Sequence, residues 1–433
     1  MRSEADIAKE VRDTLHEVGF GFVQRESSLP GSRSVRLDLL AWATDESGEL
    51  VPWAAIEIKS KRTANPDLSL PVLARSRDLL GTRDHYAVVD GQWFKADRAV
   101  RSLERIDRPA RPPYGSGGFL KNEDLATNLL SAKLWRKSDR SRFSAAHDDG
   151  SLPEEILYDT HVPGIQLSEN EFVPVDFDVL RRARRRAIVS HFVGGKSTGT
   201  YASNPVVAEA VAALVGDRLG GTVLDPFCGT GSFLWALIDR AVQQGEPAEF
   251  VGYERDRVIA QAAEAIGRSE RMPTTIEAVD AFEVEWPEAQ VVATAPPLGL
   301  RLQKRHLLLD DSSTTDGEAG AVDSSLRSLK PGGRAVFHLG AGFTFKTNLG
   351  RYRDYLANEL RVAALIGLPS GAVPGTGIRS VLLVVERTEP GETFIAQLGE
   401  DWEAQLSRGG AAIEAALAHL GDPASIAEGK PWS

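Results

Sequence analysis

The sequence predicts an α/β protein in which a larger strand-and-helix domain follows a smaller α+β region. From about residue 200, short apolar runs typical of strands alternate with helical segments, which indicates a parallel sheet covered by helices. One of these runs leads through a glycine-containing loop directly into a helix. Near the amino terminus, a helix pattern precedes two runs joined by a turn-like segment. At 433 residues the chain is too long for one ordinary core, so we expect several domains.

The elements follow one another in a clear order. Residues 4–18 have the pattern of a helix, and the runs at 35–43 and 52–60 predict a hairpin. Residues 85–96 predict a strand pair that turns at Asp90-Gly91. We therefore predict the following order: an α+β domain at 1–107, a Pro- and Gly-rich linker at 108–118, a helical segment at 119–195, an α/β domain at 196–390, and a tail at 391–433 with one helix at 402–420.

Composition narrows the class of protein. The chain is 42% hydrophobic and 26% charged, and no run approaches the ~20 apolar residues that a membrane span requires. The single cysteine, Cys228, excludes a disulfide framework and a cysteine-based zinc site. The first residues are amphipathic and lack the apolar core of a signal peptide, so we expect a cytoplasmic protein.

The charge pattern leaves two interpretations of the basic residues open. A net charge of −11 argues against a protein that coats nucleic acid, although a local basic cleft would still bind phosphates. The densest basic run is Arg181–Arg186, and Arg136, Lys137, Arg140 and Arg142 precede it. These residues form either a solvated helix face or a surface that follows a phosphate backbone.

The glycine loop predicts a ligand site. Residues 222–241 form a strand, a tight loop with Gly229, Thr230 and Gly231, and a helix, so a ligand can approach the backbone beside the helix amino terminus. The loop is not a phosphate loop of the Walker type, because no Gly-Lys-Ser/Thr follows it. Asp225 ends the strand and suits a ligand that bears an amine or a positive charge.

Two further acids follow at the ends of the next strand-like runs. Glu254 lies about one strand-helix-strand unit after the loop, where a carboxylate can accept both hydroxyls of a ribose. Asp280 ends the third run and is expected on the same edge of the sheet. Together with Asp225, these acids predict a pocket for a nucleoside that carries a positive charge.

These residues resemble a known family. The stretches DPFCGTG (225–231) and GYERD (252–256), followed by a strand that ends in Pro-Pro, resemble the amino-methylating DNA methyltransferases, especially the modification subunits of type I restriction systems. The segments at 200–214, 329–339 and 364–386 are also similar, and the resemblance covers roughly 196–390.

The resemblance implies a Rossmann-like fold and S-adenosyl-L-methionine as cofactor. Glu254 would hold the ribose, Asp280 would lie near the adenine amine, and Asp225 would lie with the glycine loop around the methionine end. The implied cofactor residues are Thr200, Tyr201, Asp225, Phe227, Gly229, Thr230, Gly231, Glu254 and Asp280. It also implies double-stranded DNA as partner, within a restriction-modification or phage-defence system. Because the tail after residue 390 is too short for a target recognition domain, we expect a separate specificity or restriction subunit.

The Pro-Pro strand end departs from the family pattern. In that family the strand ends in Asn or Asp, Pro, Pro and an aromatic residue. The acid or amide and a backbone carbonyl accept the two N–H groups of the adenine amine, and the ring stacks on the flipped base. Here Ala295 replaces the acceptor and Leu298 replaces the ring, while Pro296 and Pro297 remain. We therefore expect weak or absent methylation of the base, unless Thr294 or a partner side chain supplies the acceptor.

A second candidate site lies near the amino terminus. Asp38 lies on one predicted strand, and Glu57 and Lys59 share one face of the next. Asp38 and Glu57 could hold a divalent metal such as Mg²⁺ and orient an attacking water, with Lys59 stabilising charge. This spacing resembles the PD-(D/E)xK nucleases and the amino-terminal regions of type I restriction subunits, and Glu10 matches a further acid of many members, although Leu37 stands where they carry proline. A salt-bridged hairpin explains the same pattern.

Three functions remain open at the level of sequence. The first is a DNA adenine methyltransferase-like protein that binds S-adenosylmethionine. The second is a metal-dependent endonuclease whose methyltransferase-like half senses the cofactor or docks on DNA. The third is a non-catalytic DNA-binding assembly subunit. All three have the same predicted fold and differ in which site is active.

Overall fold

The computed structural model describes residues 4–28, 36–59, 65–115, 117–143, 163–168, 171–193 and 203–421. The chain divides into two compact units, the first made of residues 1–143 and 158–187 and the second of residues 144–157 and 188–433. In the described part of the chain, no helix is both long and apolar enough to cross a membrane.

The first unit combines a six-stranded mixed sheet with helices. Its elements are α1 (Glu4–Glu17), β1 (Phe22–Ser28), β2 (Arg36–Thr44), β3 (Leu50–Lys59), α2 (Leu70–Leu80), β4 (Asp84–Val89), β5 (Gln92–Ala96), β6 (Leu103–Ile106), α3 (Glu123–Phe143), β7 (Gly164–Ser168), β8 (Glu171–Pro174) and α4 (Phe177–Val193), of which the part up to Ala187 belongs to this unit.

The sheet of the first unit has the order β1-β2-β3-β4-β5-β6. Only β3 and β4 pair in parallel, because the helix α2 provides the crossover that parallel neighbours require. The turn between β4 and β5 falls at Asp90-Gly91, where both residues have positive φ, as a two-residue hairpin turn requires. The helix α1 buries Ile7, Val11 and Leu15, spaced four residues apart, in the core of this unit.

The second unit contains the predicted α/β domain. Its elements are α5 (Pro205–Val215), β9 (Gly221–Asp225), α6 (Ser232–Gln244), β10 (Ala248–Tyr253), α7 (Arg257–Gly267), β11 (Thr274–Glu277), β12 (Ala289–Thr294), β13 (Arg301–Leu307), β14 (Ser313–Asp316), α8 (Gly317–Ser328), β15 (Leu329–Gly340), α9 (Gly350–Glu359), β16 (Arg361–Leu368), β17 (Ser380–Glu386), β18 (Phe394–Gln397), α10 (Trp402–Leu406) and α11 (Ala411–Leu420).

The large sheet has the order β11-β10-β9-β12-β15-β17-β16-β18. The first five strands in this order, which are β11, β10, β9, β12 and β15, run parallel to one another. The strand β17 is antiparallel to both of its neighbours, so the sheet is mixed. The chain first builds outward from β9 to β10 and β11, and then returns to the other side of β9 with β12. This reversal creates a crevice at the carboxyl ends of β9 and β12, which is where open α/β sheets bind ligands.

Three features differ from the sequence-based expectation. The prediction of one helix at 402–420 is wrong, because Gly409, with φ +76°, and Gly410 separate α10 from α11. The segment 119–195 contains the two-stranded sheet of β7 and β8 in addition to helices. The hairpin of β13 and β14 was not predicted, because its exposed polar residues lack a strand-like apolar alternation.

Candidate active site

The glycine loop is shaped by two residues with positive φ. Gly229 has φ +55° and Gly231 has φ +86°, so the loop turns sharply between β9 and α6. A Cβ at Gly231 would lie 2.3 Å from the ring of Trp235. The indole nitrogen of Trp235 in turn donates a hydrogen bond to the carbonyl of Thr230 at 2.7 Å. The ring therefore supports the loop from beneath, and only glycine fits at position 231.

Asp225 lies at the carboxyl end of β9 and is 2% exposed. It accepts hydrogen bonds from the Thr294 hydroxyl at 2.7 Å and from the Phe227 amide at 3.2 Å. Burial nevertheless raises the pKa of Asp225 to about 7, and the nearby Glu254 also raises it. Within the described part of the chain, Asp225 forms no ion pair. A cationic group beside it would relieve this unfavourable burial.

Glu254 follows β10 and is held beside the glycine loop. Its Oε1 accepts a hydrogen bond from the Asp256 amide at 2.7 Å, and its carboxylate also accepts from the amide of Gly229. Burial raises the pKa of Glu254, and these two amides offset part of that effect. The predicted ribose acid therefore contacts the predicted loop directly.

Asp280 lies on the same edge and caps a short 3₁₀ helix, since its Oδ1 accepts from the Phe282 amide at 3.0 Å. The ring of Phe282 packs against Phe227, with ring centroids 5.3 Å apart, and the ring of Trp286 meets Phe227 edge-on with centroids 6.2 Å apart. Sequence reasoning missed Phe282 and Trp286. The signal in the sequence that could have identified them is their position, two and six residues after Asp280.

The residues present fit a polar, cationic ligand at this edge. The buried hydroxyl of Thr230 has no hydrogen-bond partner among the described residues, and a ligand could provide one. Asp225 supplies a buried negative charge, and Glu254 and Asp280 supply further acceptors. Thr200 and Tyr201, which the resemblance also assigns to the cofactor, lie outside the described residues.

The Pro-Pro end of β12 lies next to this edge and lines a small pocket. The pocket has a volume of about 50 Å³, and its lining is mainly apolar: it includes Ala295, Pro296, Pro297, Leu298, Val373 and His338. His338 is buried, which lowers its pKa to about 4, and its Nε2 is 2.8 Å from the Ser380 hydroxyl. His338 was not predicted from the sequence. Among the described residues that line the pocket, none has a carboxylate or amide side chain.

Thr294 does not provide a free substitute acceptor. Its hydroxyl is fully buried and donates to Asp225, which joins the end of β12 to the end of β9. The same hydrogen bond links the predicted cofactor side of the crevice to the predicted substrate side. The interpretation of Ala295 as a missing acceptor therefore stays a prediction, with Thr294 engaged elsewhere.

Glu318, at the start of α8, is a further residue that sequence reasoning missed. Its Oε1 accepts from the Gly340 amide at 2.6 Å, and its carboxylate also accepts from the amide of Gly299. Burial raises the pKa of Glu318, while the Gly340 amide and Lys346, 3.8 Å away, counteract that effect. Glu318 therefore ties the turn after Pro296 and Pro297 to the carboxyl end of β15.

The first unit brings the amino-terminal candidates together. Asp38 Oδ2 accepts from the Ile58 amide at 2.7 Å, and Glu57 Oε1 lies 3.4 Å from the Asp38 amide nitrogen. Lys59 forms an ion pair with Glu57 at 3.0 Å. Burial and then the Asp38 charge raise the pKa of Glu57, whereas Lys59 lowers it. Glu10 is exposed on α1.

This arrangement gives no support to the predicted Mg²⁺ site. Among the described residues, no group of three or more His, Cys, Asp or Glu side chains is placed to hold a metal ion. The ion pair of Lys59 and Glu57 is also what the salt-bridged hairpin predicts. The nuclease interpretation of Asp38, Glu57 and Lys59 stays a prediction.

Comparison with known proteins finds a family match over the part of the chain that forms the crevice of the second unit. A family model described as N-6 DNA methylase matches residues 187–405, just over half of the chain. This range contains the glycine loop, the strand-end acids and the Pro-Pro end.

The solved structures that align with part of this chain have low sequence identity to it. A Listeria monocytogenes protein, provisionally assigned to the class I S-adenosylmethionine-dependent methyltransferases, is 16% identical with a TM-score of 0.47, covering 56% of this chain and 79% of its own. A modification subunit of a provisionally assigned type I restriction enzyme from Vibrio vulnificus is 20% identical with a TM-score of 0.46, covering 53% and 55%. A type I methyltransferase subunit from Streptococcus thermophilus is 19% identical with a TM-score of 0.44, covering 51% and 52%. The chain thus spans about half the length of these two subunits.

Proposed function

The chain belongs to the N-6 DNA methylase family, and we propose that it binds S-adenosylmethionine at the carboxyl ends of β9, β10 and β11 and accepts a DNA adenine at the Pro-Pro end of β12. We further propose that its own methyl transfer is weak. The observation that carries the proposal is the hydrogen bond of 2.7 Å between Thr294 and Asp225. This hydrogen bond connects the cofactor side of the crevice, where acidic side chains are available, to the substrate side, where Ala295 replaces the side chain that would accept from the adenine amine.

Each acid would bind a different part of the cofactor. Asp225 would hold the positively charged methionine end, and its buried carboxylate suits a cation. Glu254 would accept the two ribose hydroxyls, in the way that strand-end acids of this fold do. Asp280 would accept from the adenine amine, and Phe227 and Phe282 offer aromatic surface for the ring. Bound S-adenosylmethionine supplies an electrophilic methyl group on its sulfonium sulfur.

The substrate side would orient the base but activate it poorly. The lone pair of the adenine amine is delocalised into the ring, so a good acceptor for its N–H groups is needed to make it nucleophilic. Pro296 and Pro297 fix a backbone carbonyl, and Glu318 holds the following turn through the Gly299 amide. Ala295 offers no acceptor, and we expect a rate about 10²–10³-fold lower than with one. Leu298 in place of an aromatic ring removes roughly 1–3 kcal/mol of base stacking.

Restoring the two side chains tests this proposal. We expect the double substitution Ala295→Asn and Leu298→Phe to raise transfer of a labelled methyl group to duplex DNA by at least about 10²-fold. The matched control is Leu298→Phe alone, which adds the ring without the acceptor. Wild-type transfer as fast as that of the double variant would show that the substrate side is complete as it stands.

We also propose that DNA sequence is selected by a separate subunit. Direct readout requires side chains that reach base edges in a groove, usually from a dedicated element. Two of the similar structures are subunits of type I restriction systems, which supports a specificity or restriction subunit as the partner. Pull-down with a co-expressed specificity subunit would test this, and the absence of a stable complex would count against it.

A further inference from the structure

The hairpin of β13 and β14 begins shortly after residues 295–298, which line the small pocket at the Pro-Pro end of β12 where we propose that the base binds. The Leu300 amide donates to the Pro297 carbonyl at 3.2 Å, and the Gly317 amide donates to the Leu300 carbonyl at 2.8 Å. Both ends of the hairpin are therefore fastened to the turn that carries Leu298. Any strand of DNA that presents a base to this pocket would run close to the hairpin.

The hairpin is held firmly against α8. The fully buried Asp323 accepts from His306 Nε2 at 2.9 Å and from the Leu309 amide at 2.7 Å, and Arg327 donates to the Leu307 carbonyl at 3.1 Å. Burial acts to raise the pKa of Asp323, but its hydrogen bonds from His306 and Arg327 outweigh burial and lower that pKa overall. An ionised Asp323 thus fixes the direction in which the hairpin projects.

Three exposed cations lie along β13, namely Arg301, Lys304 and Arg305. None of them forms an ion pair with another described residue, and Arg305 donates only to Ser313, at 2.9 Å from Nε.

The acids of the hairpin do not neutralise these cations. Asp310 lies 3.6 Å from Arg351, and Asp316 pairs with Lys346 at 2.5 Å, so both are compensated from outside the hairpin. Asp311 is the exposed acid, and it lies in the turn, beyond the end of β13. The flank of β13 therefore presents a local positive charge that is left for a partner.

We propose that the hairpin of β13 and β14 binds the sugar-phosphate backbone of the DNA strand that flanks the target adenine. Arg301 and Arg305 are about 13 Å apart along an extended strand, which is far enough for them to contact different phosphates of one DNA strand. The three cations would each neutralise a phosphate, and the fixed hairpin would set the position of the strand relative to Leu298. This inference rests on the proposed function, because it assumes that DNA is the partner.

Neutralising the hairpin tests the inference. The triple variant Arg301→Gln, Lys304→Gln and Arg305→Gln is titrated with a fluorescent duplex of random sequence at several salt concentrations. We expect the salt dependence of log affinity to fall by about 0.9 for each lost phosphate contact. The ratio of affinities at about 50 mM and about 200 mM salt should then be about 40-fold smaller than for the wild type.

A second triple variant provides the matched control. Arg268→Gln, Arg271→Gln and Arg387→Gln remove the same charge from exposed positions near the amino ends of the parallel strands, at the opposite edge of the sheet. Equal effects of the two triple variants, or no effect of the hairpin variant, would overturn the inference while wild-type DNA binding and the proposed function stand. No binding of duplex by the wild type would overturn both. Unchanged S-adenosylmethionine binding by the hairpin variant shows that it is folded.

Discussion

The charge of Asp225 should control how strongly the protein binds S-adenosylmethionine. Its carboxyl is buried, and its pKa lies at about 7, so it is partly protonated near neutral pH. A positively charged ligand is bound better by the carboxylate than by the neutral acid. Ligand binding should therefore lower the pKa of Asp225 and release a proton, and affinity should fall as pH falls below about 7.

The size of this effect follows from the ionised fraction of Asp225. With a pKa of about 7, that fraction is about 0.09 at about pH 6 and about 0.76 at about pH 7.5. The dissociation constant should therefore fall by about 8-fold over this range, and about half a proton should leave per ligand bound near pH 7. The amino group of the ligand, with a pKa of about 7.7–8.0, is still about 60–75% protonated at about pH 7.5, so its loss of charge reduces this change by less than about 2-fold.

Isothermal titration calorimetry across this pH range, in two buffers of different ionisation enthalpy, measures both quantities. The control is Asp225→Asn, which keeps a side-chain acceptor for Thr294 but cannot titrate. We expect this variant to bind about 10–100-fold more weakly, since a charge-assisted hydrogen bond is lost, and to lose the pH dependence. Glu254, whose pKa is also raised, would account for any slope that remains. A flat wild-type profile with no proton released would refute the reasoning.

Two further predictions concern the scaffold. Gly231→Ala should abolish cofactor binding and lower the melting temperature, because strain at φ +86° costs about 1–2 kcal/mol and overlap with Trp235 about 1–3 kcal/mol. Gly245→Ala, at φ +72° with open space around it, isolates the strain alone, and equal melting temperatures would contradict the Trp235 contact. Arg334→Met should reduce the free energy of unfolding by about 1–3 kcal/mol, because the buried carbonyls of Leu214 and Val215 lose their donor. Glu386 loses Arg334, at 2.6 Å, but keeps Arg218 and Arg361 as partners. Denaturant unfolding measures this loss, and one below about 1 kcal/mol would show that the pair is dispensable.

The sequence was most informative for residues whose role can be recognised from their immediate neighbours in the chain. Asp225, Glu254 and Asp280 each follow an apolar run, and strands that run parallel must end at the same edge, so their proximity could be inferred. The turn at Asp90-Gly91 could be inferred in the same way, since few residues accept positive φ.

The residues that were missed act through contacts distant in sequence. Glu318 binds the amides of Gly299 and Gly340, and no local pattern distinguishes it from any other acid on a helix. Phe282 matters because its ring meets Phe227, which lies two strands earlier. The hairpin of β13 and β14 depends on the buried Asp323, whose partners become apparent only in the folded chain.

The central claim is that the edge formed by Asp225, Glu254 and the glycine loop binds S-adenosylmethionine. Calorimetric titration of the full chain with this cofactor at about pH 7.5, where most of Asp225 is ionised, tests it most directly. We expect one site per chain, with binding weakened by at least about tenfold in both Asp225→Ala and Glu254→Ala. No heat of binding from folded wild-type protein, or affinity in both variants equal to that of the wild type, would contradict the claim.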